Sequence, residues 1–217
     1  MSEQEGPLGS GSEGSSWSAD PLGLVLAAAE PKHGPALLSL FERTSTPCHC
    51  QYWHFTGDKN EWLERLFHAP ELNRAAFLEN LAQPGLKGIV ALRGEQAVGW
   101  MKLCLAESIP KLYAQRLYKG LPCFNGPRDG VLTVGCFLID EDVRRQGVAR
   151  ALVRHAVRVA EQTGARAVEA FPRRSDQAGP AELWTGPSTL FLEEGFEIIN
   201  DFGPYPVLRH ALPASRA

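Results

Sequence analysis

The fold of this 217-residue chain is decided by residues 131–160, which read VLTVGCFLIDEDVRRQGVARALVRHAVRVA. The nine residues from Val131 to Ile139 form an almost continuous apolar run, which is typical of a strand covered on both faces. After a polar turn, apolar residues recur at i, i+3, i+4, i+7, i+8 and i+11 from Ala149 to Ala160, the spacing of an amphipathic helix. The stretch therefore predicts a buried strand that leads directly into a helix.

Strand and helix patterns alternate on both sides of this stretch. Short apolar runs predict strands at 22–28, 89–92, 97–105, 167–171, 196–200 and 207–210. Helical spacing predicts helices at 35–43, 70–81 and 187–194, and Asp58 is a predicted N-cap for a further helix. The proline-containing segment 107–130 is predicted to be a long loop with one short helix around Tyr113 and Leu117. Together these elements predict a mixed α/β fold.

The composition excludes several classes of protein. The chain carries 22 Lys and Arg residues against 25 Asp and Glu residues, a formal charge of −3. A nucleic-acid-binding domain normally has a concentrated basic surface, so no nucleic acid is expected as a partner. No run approaches the roughly 18 apolar residues of a membrane span, so no membrane is expected either. Five cysteines are an odd number for a disulfide framework, which predicts a reduced protein of the cytoplasm.

The N-terminus differs in composition from the rest of the chain. Nine of the first sixteen residues are Gly or Ser. Such a segment cannot bury enough apolar surface to offset the entropy of ordering. We therefore predict a disordered tail at 1–20 and one folded domain at 21–213.

The turn between the buried strand and the amphipathic helix is the first candidate for chemistry. A helix start offers about four unpaired N–H groups and a partial positive charge, which together suit a phosphate or pyrophosphate. Gly147 permits close approach to the backbone, and Arg144 and Arg145 add positive charge. A plain turn with solvated arginines fits the local pattern equally well.

The segment from Arg144 to Ala149 resembles the Gln/Arg-x-x-Gly-x-Gly/Ala signature of the GNAT superfamily of N-acetyltransferases. The strand before it, the strand about twenty residues after it, and the late Glu194-Gly195-Phe196 are also similar to the family. Within the superfamily, the chain resembles a bacterial branch that pairs Cys-x-Cys-x-x-Trp, here at 48–53, with Glu-Gly/Ala-aromatic-Pro, here at 169–172.

The resemblance implies a fold and a cofactor. The fold is a mostly antiparallel central sheet of about seven strands, with helices on both faces and the fourth and fifth strands splayed apart. Acetyl-CoA would be the co-substrate, with its pyrophosphate on the helix start and its pantetheine arm in the splay. The implied cofactor contacts are Phe137, Leu138, Ile139, Arg144, Arg145, Gln146, Gly147, Val148, Ala149, Arg150 and Phe191.

The implied reaction is attack of a neutral amine on a thioester, which needs a base, an oxyanion donor and a proton for the departing thiolate. Many family members supply that proton from a Tyr, but this sequence has Phe191 at the matching position. Three alternatives are compatible with this: water or a hydroxyl of Ser188 or Thr189 protonates the thiolate, the thiolate leaves unprotonated, or the protein is not a competent enzyme.

Glu169 is the first candidate for a general base that acts directly or through water. Strand alternation places it on one face with Ala167 and Phe171. A structural strand glutamate paired with an arginine is equally compatible with the pattern.

Three consecutive residues, Cys48, His49 and Cys50, are candidate zinc ligands, and His54 is a candidate fourth ligand. Consecutive ligands cannot close one tetrahedral site well, and no second ligand pair follows at finger spacing, so no metal is expected. This stretch is predicted to form an aromatic wall of the acceptor site, or to pack as ordinary core. The resemblance implies an acceptor pocket surrounded by residues 48–55 and 107–128.

Three functions follow from these patterns. The first is N-acetylation of a primary amine of a small molecule or peptide by direct attack. The second is a non-catalytic module that binds or senses acyl-CoA, and the third is a thiol or metal protein centred on Cys48 and Cys50. The expected partner is the amine acceptor, and a homodimer is compatible with the family.

Overall fold

The computed structural model describes residues 22–174 and 183–213. Within these residues, seven strands form one sheet. The strands are β1 (Val25–Ala28), β2 (Ile89–Arg93), β3 (Gln96–Leu105), β4 (Val131–Ile139), β5 (Ala167–Ala170), β6 (Glu197–Asn200) and β7 (Val207–Ala211). The α-helices are α1 (Gly34–Arg43), α2 (Lys59–His68), α3 (Pro70–Ala82), α4 (Pro110–Tyr113), α5 (Val148–Gln162) and α6 (Ser188–Glu193). The tail predicted at 1–20 lies outside the described residues.

The sheet has the strand order β1-β2-β3-β4-β5-β7-β6. Its neighbouring strands are antiparallel, with the exception of β4 and β5, which are parallel and are joined through α5. A parallel pair needs a crossover of this kind because a tight turn can only reverse the chain. The predicted mixed α/β fold, with a mostly antiparallel seven-stranded sheet, is confirmed.

Helices cover both faces of the sheet. On one face, α5 packs against alternate residues of β2, β3 and β4, among them Ala91 and Met101. Gly99 permits this contact, since a Cβ there would lie 2.9 Å from Val148 Cγ1. On the other face, α1 and α3 pack against the intervening residues, among them Val90 and Trp100. The apolar run of β4 is buried because it lies between these two layers.

Most predicted boundaries lie within one residue of those in the structure, and two larger differences stand out. The first strand begins at Val25 and not at 22, because Gly23 has a φ of +65° and leaves the extended conformation. The short helix of the long loop ends at Tyr113, and Leu117 lies in the turn that follows. Asp58 caps α2 as predicted, with its carboxylate 2.7 Å from the N–H of Asn60.

None of the described helices is both long and apolar enough to cross a membrane.

Candidate active site

A cleft of about 1380 Å³ runs along the end of β4 and the start of α5. The predicted cofactor contacts that line it are Phe137, Leu138, Ile139, Arg144, Arg145, Gly147, Val148, Ala149 and Arg150. Segment 44–53 and the chain before α6 line the same cleft as the predicted cofactor contacts. Of the two segments expected around the acceptor, 48–55 contributes to this lining, whereas 107–128 does not. Gln146 and Phe191 were also predicted to contact the cofactor, but they are not among the lining residues.

The start of α5 is shaped by two left-handed residues. Arg145 has a φ of +63° and Gly147, the N-cap of α5, has a φ of +89°. A Cβ on Gly147 would meet only Leu22, at 3.4 Å, so the loop needs glycine for its backbone conformation and not for space. The N–H groups of the first turn of α5 have no partner within the helix. They are therefore available to an anion, as the predicted phosphate site at this turn requires.

The side chains of the loop differ in their surroundings. Gln146 turns back, and its amide donates to the carbonyl of Asp142 at 2.9 Å. Arg144 pairs with Glu141 at 3.1 Å and donates to the carbonyl of Ile139 at 3.3 Å. Among the described residues Arg145 makes no ion pair, so its charge is the one in this loop that no carboxylate offsets.

Arg150 joins α5 to α6. Its guanidinium pairs with Glu193 and, at 3.2 Å, with Glu194. Arg154, one turn further along α5, pairs with Glu194 at 2.7 Å. These carboxylates hold α6 beside the loop, and they also offset part of the positive charge at the helix start.

The gap beside β4 begins where its pairing with β5 ends. The β4–β5 ladder runs only to Val134 and Ala170, whereas the β3–β4 ladder continues to Gly99 and Ile139. The far half of β4 therefore presents one edge to the cleft. In the gap, the N–H of Phe137 donates to the carbonyl of Trp184 at 2.7 Å.

The divergence of the two strands coincides with a bulge in β4. The β3–β4 register shifts between Met101 and Leu103, opposite Gly135 and Cys136. Gly135 also makes room for a side chain, since a Cβ there would lie 2.9 Å from Lys102 Cδ. Gly135 therefore serves both the bulge and the close packing of Lys102.

Glu169 is fully buried and is not among the residues that line the cleft. One carboxylate oxygen accepts hydrogen bonds from Arg209 at 2.6 and 3.0 Å. The other accepts from Tyr113 at 2.8 Å and from Arg128. Its lone pairs are therefore already used by donors from the 107–130 loop and from β7. This geometry favours an anchor for that loop over the expected general base.

Of the two hydroxyl residues predicted as proton donors, only one lines the cleft. Ser188 is buried and does not line the cleft, whereas Thr189, the next residue, does. Phe191 is fully buried, and its ring centroid lies 5.8 Å from that of Phe137 and 5.2 Å from that of Phe196. Phe191 therefore packs against the side chain of Phe137, in the core on the α5 face of β4.

Three thiols, those of Cys48, Cys50 and Cys136, line the cleft together with the loop at 144–147, which we call the phosphate loop. Cys50 Sγ is 2.6 Å from Cys136 Sγ and accepts a hydrogen bond from Trp100 Nε1 at 3.2 Å. The pKa of Cys48 is raised by its hydrogen bond with Cys50 and by burial, and the pKa of Cys50 is raised by its hydrogen bond with Cys136. Neutral thiols are poor nucleophiles and poor metal ligands, which disfavours a function centred on them.

Within 22–174 and 183–213, no group of three His, Cys, Asp or Glu side chains is arranged to hold a metal ion.

Sequence reasoning missed two features of this region. The carbonyl of Trp184 on the edge of β4 has no sequence signal, since the hydrogen bond depends on the path of the chain before α6. The burial of Lys102, which is 2% exposed, was also missed. Its position in an otherwise apolar strand could have drawn attention to it.

Solved structures with the same fold are acetyltransferases. The GNAT domain of PAT from S. lividans aligns with a TM-score of 0.53 and 18% identity, over 86% of this chain and 89% of that one. An acetyltransferase from Thermus thermophilus aligns with a TM-score of 0.51 and 20% identity, over 87% and 97%. PaiA N-acetyltransferase from Thermoplasma acidophilum, solved with coenzyme A, aligns with a TM-score of 0.50 and 9% identity, over 87% and 99%. At such identities the likeness shows the fold alone.

No match was found among curated protein sequences. The model of the acetyltransferase (GNAT) family, however, matches residues 50–179, which is more than half of the chain. The matched region takes in β2 to β5, the loop around Gly147 and α5. This chain therefore belongs to the GNAT family of acetyltransferases.

Proposed function

We propose that this protein is an acetyl-CoA-dependent N-acetyltransferase that transfers the acetyl group to a primary amine of a small molecule or peptide by direct attack. The observation that carries the proposal is the cleft, which joins an anion-binding helix start to a strand edge that lacks its neighbour. A long cofactor with a pyrophosphate at one end and amide groups along its arm needs both features.

The residues fit such a cofactor. The N–H groups of Val148 and Ala149 at the start of α5 would hold the pyrophosphate, with the charge of Arg145 beside them. The edge of β4 from Phe137 to Ile139 has no strand beside it, and it would hold the amide-containing arm through backbone hydrogen bonds once the arm displaces the carbonyl of Trp184 from Phe137. This edge belongs to the same cleft as the helix start, which supports a single extended ligand.

Acetyl-CoA supplies the thioester, and the chain supplies the polar surroundings. The amine nitrogen forms a bond to the acetyl carbon, the carbon–sulfur bond breaks, and the proton that nitrogen loses leaves with the thiol. The N–H of Phe137 is the best-placed donor for the charge that develops on the thioester oxygen, because it points into the gap beside β4.

Fewer side chains of the cleft are suited to proton transfer than to cofactor binding. Thr189 lines the cleft and carries a hydroxyl, so it is better placed than Ser188 to protonate the thiolate. Departure of an unprotonated thiolate remains compatible with the site, because a thiol is a good leaving group. The paired state of Glu169 leaves cleft water as the simplest base for an amine that arrives protonated.

A non-catalytic module that binds or senses acyl-CoA is the second candidate. It is favoured by the residues of the site, since position 191 is a phenylalanine and the described carboxylates that line the cleft, Glu141 and Glu193, are paired with arginines. Such a protein would use the helix start and the β4 edge for binding alone.

Calorimetry with acetyl-CoA and a product assay with an amine panel separate these candidates. Catalysis is supported if acetyl-CoA binds and free CoA forms only when amine is present. Tight binding without turnover supports the sensing module. No detectable binding of acetyl-CoA would refute both.

A further inference from the structure

The cleft has an end that faces away from α5, which we call the acceptor end. It is formed by segment 44–53 together with Trp62, Leu66 and Trp184. Phe137 packs in the core on the α5 face, whereas Cys136 packs with α1 and α3 on the opposite face and contacts Cys50 at 2.6 Å. The acceptor end therefore begins one residue from the amide that would receive the thioester oxygen.

Aromatic rings form the wall of the acceptor end. Tyr52 lies 4.9 Å from Trp53 and 5.3 Å from Trp62, between ring centroids. Trp53 lies 5.8 Å from Trp184, which is 46% exposed. The four rings are continuous and all line the cleft. They offer both apolar area and ring faces to a ligand.

None of the described residues that line the acceptor end is charged. The carboxylates of the cleft, Glu141 and Glu193, lie beside the phosphate loop and pair there with Arg144 and Arg150. A ligand with several ammonium groups would therefore find no carboxylate partner among the described residues of this end. Burying an unpaired charge costs several kcal/mol, so such ligands are strongly disfavoured.

Two lysines lie behind the aromatic wall. Lys111 Nζ lies 4.2 Å from the ring centroid of Tyr52 and donates to the carbonyl of Phe55 at 2.9 Å. Lys102 is buried between β4 and Trp53 and is close enough to help burial lower the pKa of His54. Both cations act against a further positive charge at the acceptor end.

We infer that the acceptor is a small arylalkylamine with a single primary amino group, and that polyamines and lysine-rich peptides are rejected. The inference rests on the proposed function for its chemistry, but the binding preference holds for a non-catalytic protein as well. The same surroundings also assist the reaction. Apolar rings and nearby cations disfavour the ammonium form of the bound amine, so the neutral nucleophile forms without a carboxylate base.

Three amines test the inference: phenylethylamine, the aliphatic hexylamine and the polyamine spermidine. Acetylated product is measured by mass spectrometry, and binding of each amine to the protein with CoA is measured by calorimetry. We expect kcat/KM and affinity to fall in that order, with more than about tenfold between phenylethylamine and spermidine. Equal or better binding of spermidine overturns the inference. Selective binding of phenylethylamine without product overturns only the proposed catalysis.

Replacement of Trp184 by alanine tests the aromatic wall. We expect affinity for phenylethylamine to fall about three- to tenfold, the worth of one aromatic contact, and affinity for hexylamine to change less. The matched control is Phe202→Ala, since Phe202 is 45% exposed and lies outside the cleft. Equal effects of the two substitutions on phenylethylamine would refute a role for the Trp184 ring.

Ser45 allows a direct test of the charge. It is exposed, lines the acceptor end and has a φ of +49°, a conformation that Asp and Asn tolerate. Ser45→Asp adds a carboxylate, and Ser45→Asn adds the same shape without charge. We expect affinity for spermidine to rise about tenfold in the Asp variant alone, from one new close ion pair. An unchanged affinity in the Asp variant would show that charge does not govern selection here.

Discussion

Replacement of Gly147 by alanine tests whether the start of α5 binds the pyrophosphate, and its cost in free energy can be calculated. At a φ of +89°, alanine is strained by about 1–2 kcal/mol relative to glycine. The added methyl group would meet only Leu22, at 3.4 Å, so the strain is almost purely conformational. If the loop keeps its shape in the variant, the strain lowers the free energy of unfolding. If the loop relaxes in the free protein, the strain is imposed when acetyl-CoA binds, and binding weakens about 5–30-fold.

Calorimetric titration of acetyl-CoA and denaturant unfolding together measure both parts of this cost. The matched control is Gly203→Ala in the β6–β7 connection, because Gly203 has a φ of +59° and nothing within 4 Å of a Cβ. We expect both variants to carry the strain, but only Gly147→Ala to lose affinity. If Gly147→Ala loses no more affinity than Gly203→Ala, the left-handed loop does not bind the pyrophosphate.

Phe191→Tyr would bury a hydroxyl without a partner, so we expect a loss of about 1–3 kcal/mol of stability and no gain in turnover; a clear rise in kcat would show that the hydroxyl reaches the cleft. Glu169→Gln leaves two guanidinium groups without a counter-charge, so we expect a loss of about 3 kcal/mol, with turnover per folded molecule unchanged. Lost turnover at unchanged stability would instead support the general base. Burial lowers the pKa of His54 from 6.5 to about 4, so its proton favours the unfolded chain below about pH 6.5. Acidification to about pH 5 should therefore cost about 1–2 kcal/mol, and His54→Gln should reduce that loss in unfolding curves; equal losses in both proteins would contradict the argument.

The central part of the fold could be predicted because its signals are local. A strand buried on both faces and a one-sided helix each leave a periodic pattern in consecutive residues, as in 131–160. The start of β1 was predicted too early because Leu24 is buried like a strand residue although it lies outside the strand. An apolar residue indicates a buried position, but a buried residue need not be hydrogen-bonded within a sheet.

The cofactor contacts could be predicted from the sequence, whereas the partners of Glu169 could not. Most of the residues that would hold the cofactor are nearly consecutive, between Phe137 and Arg150, so one motif locates them together. Glu169 instead meets Arg128 and Arg209, which are 41 and 40 positions away. No spacing rule connects such residues, and strand alternation could give only the face on which Glu169 lies.

The hydrogen bond between Phe137 and Trp184 affects how binding energy is divided between substrate and transition state. If the thioester oxygen takes the place of the Trp184 carbonyl, one neutral acceptor replaces another, and the net gain in ground-state binding is small. As negative charge develops on that oxygen, the same N–H makes a charge-assisted bond that is roughly twice as strong. The exchange then favours the transition state over the bound substrate, so this amide would raise kcat more than it lowers KM.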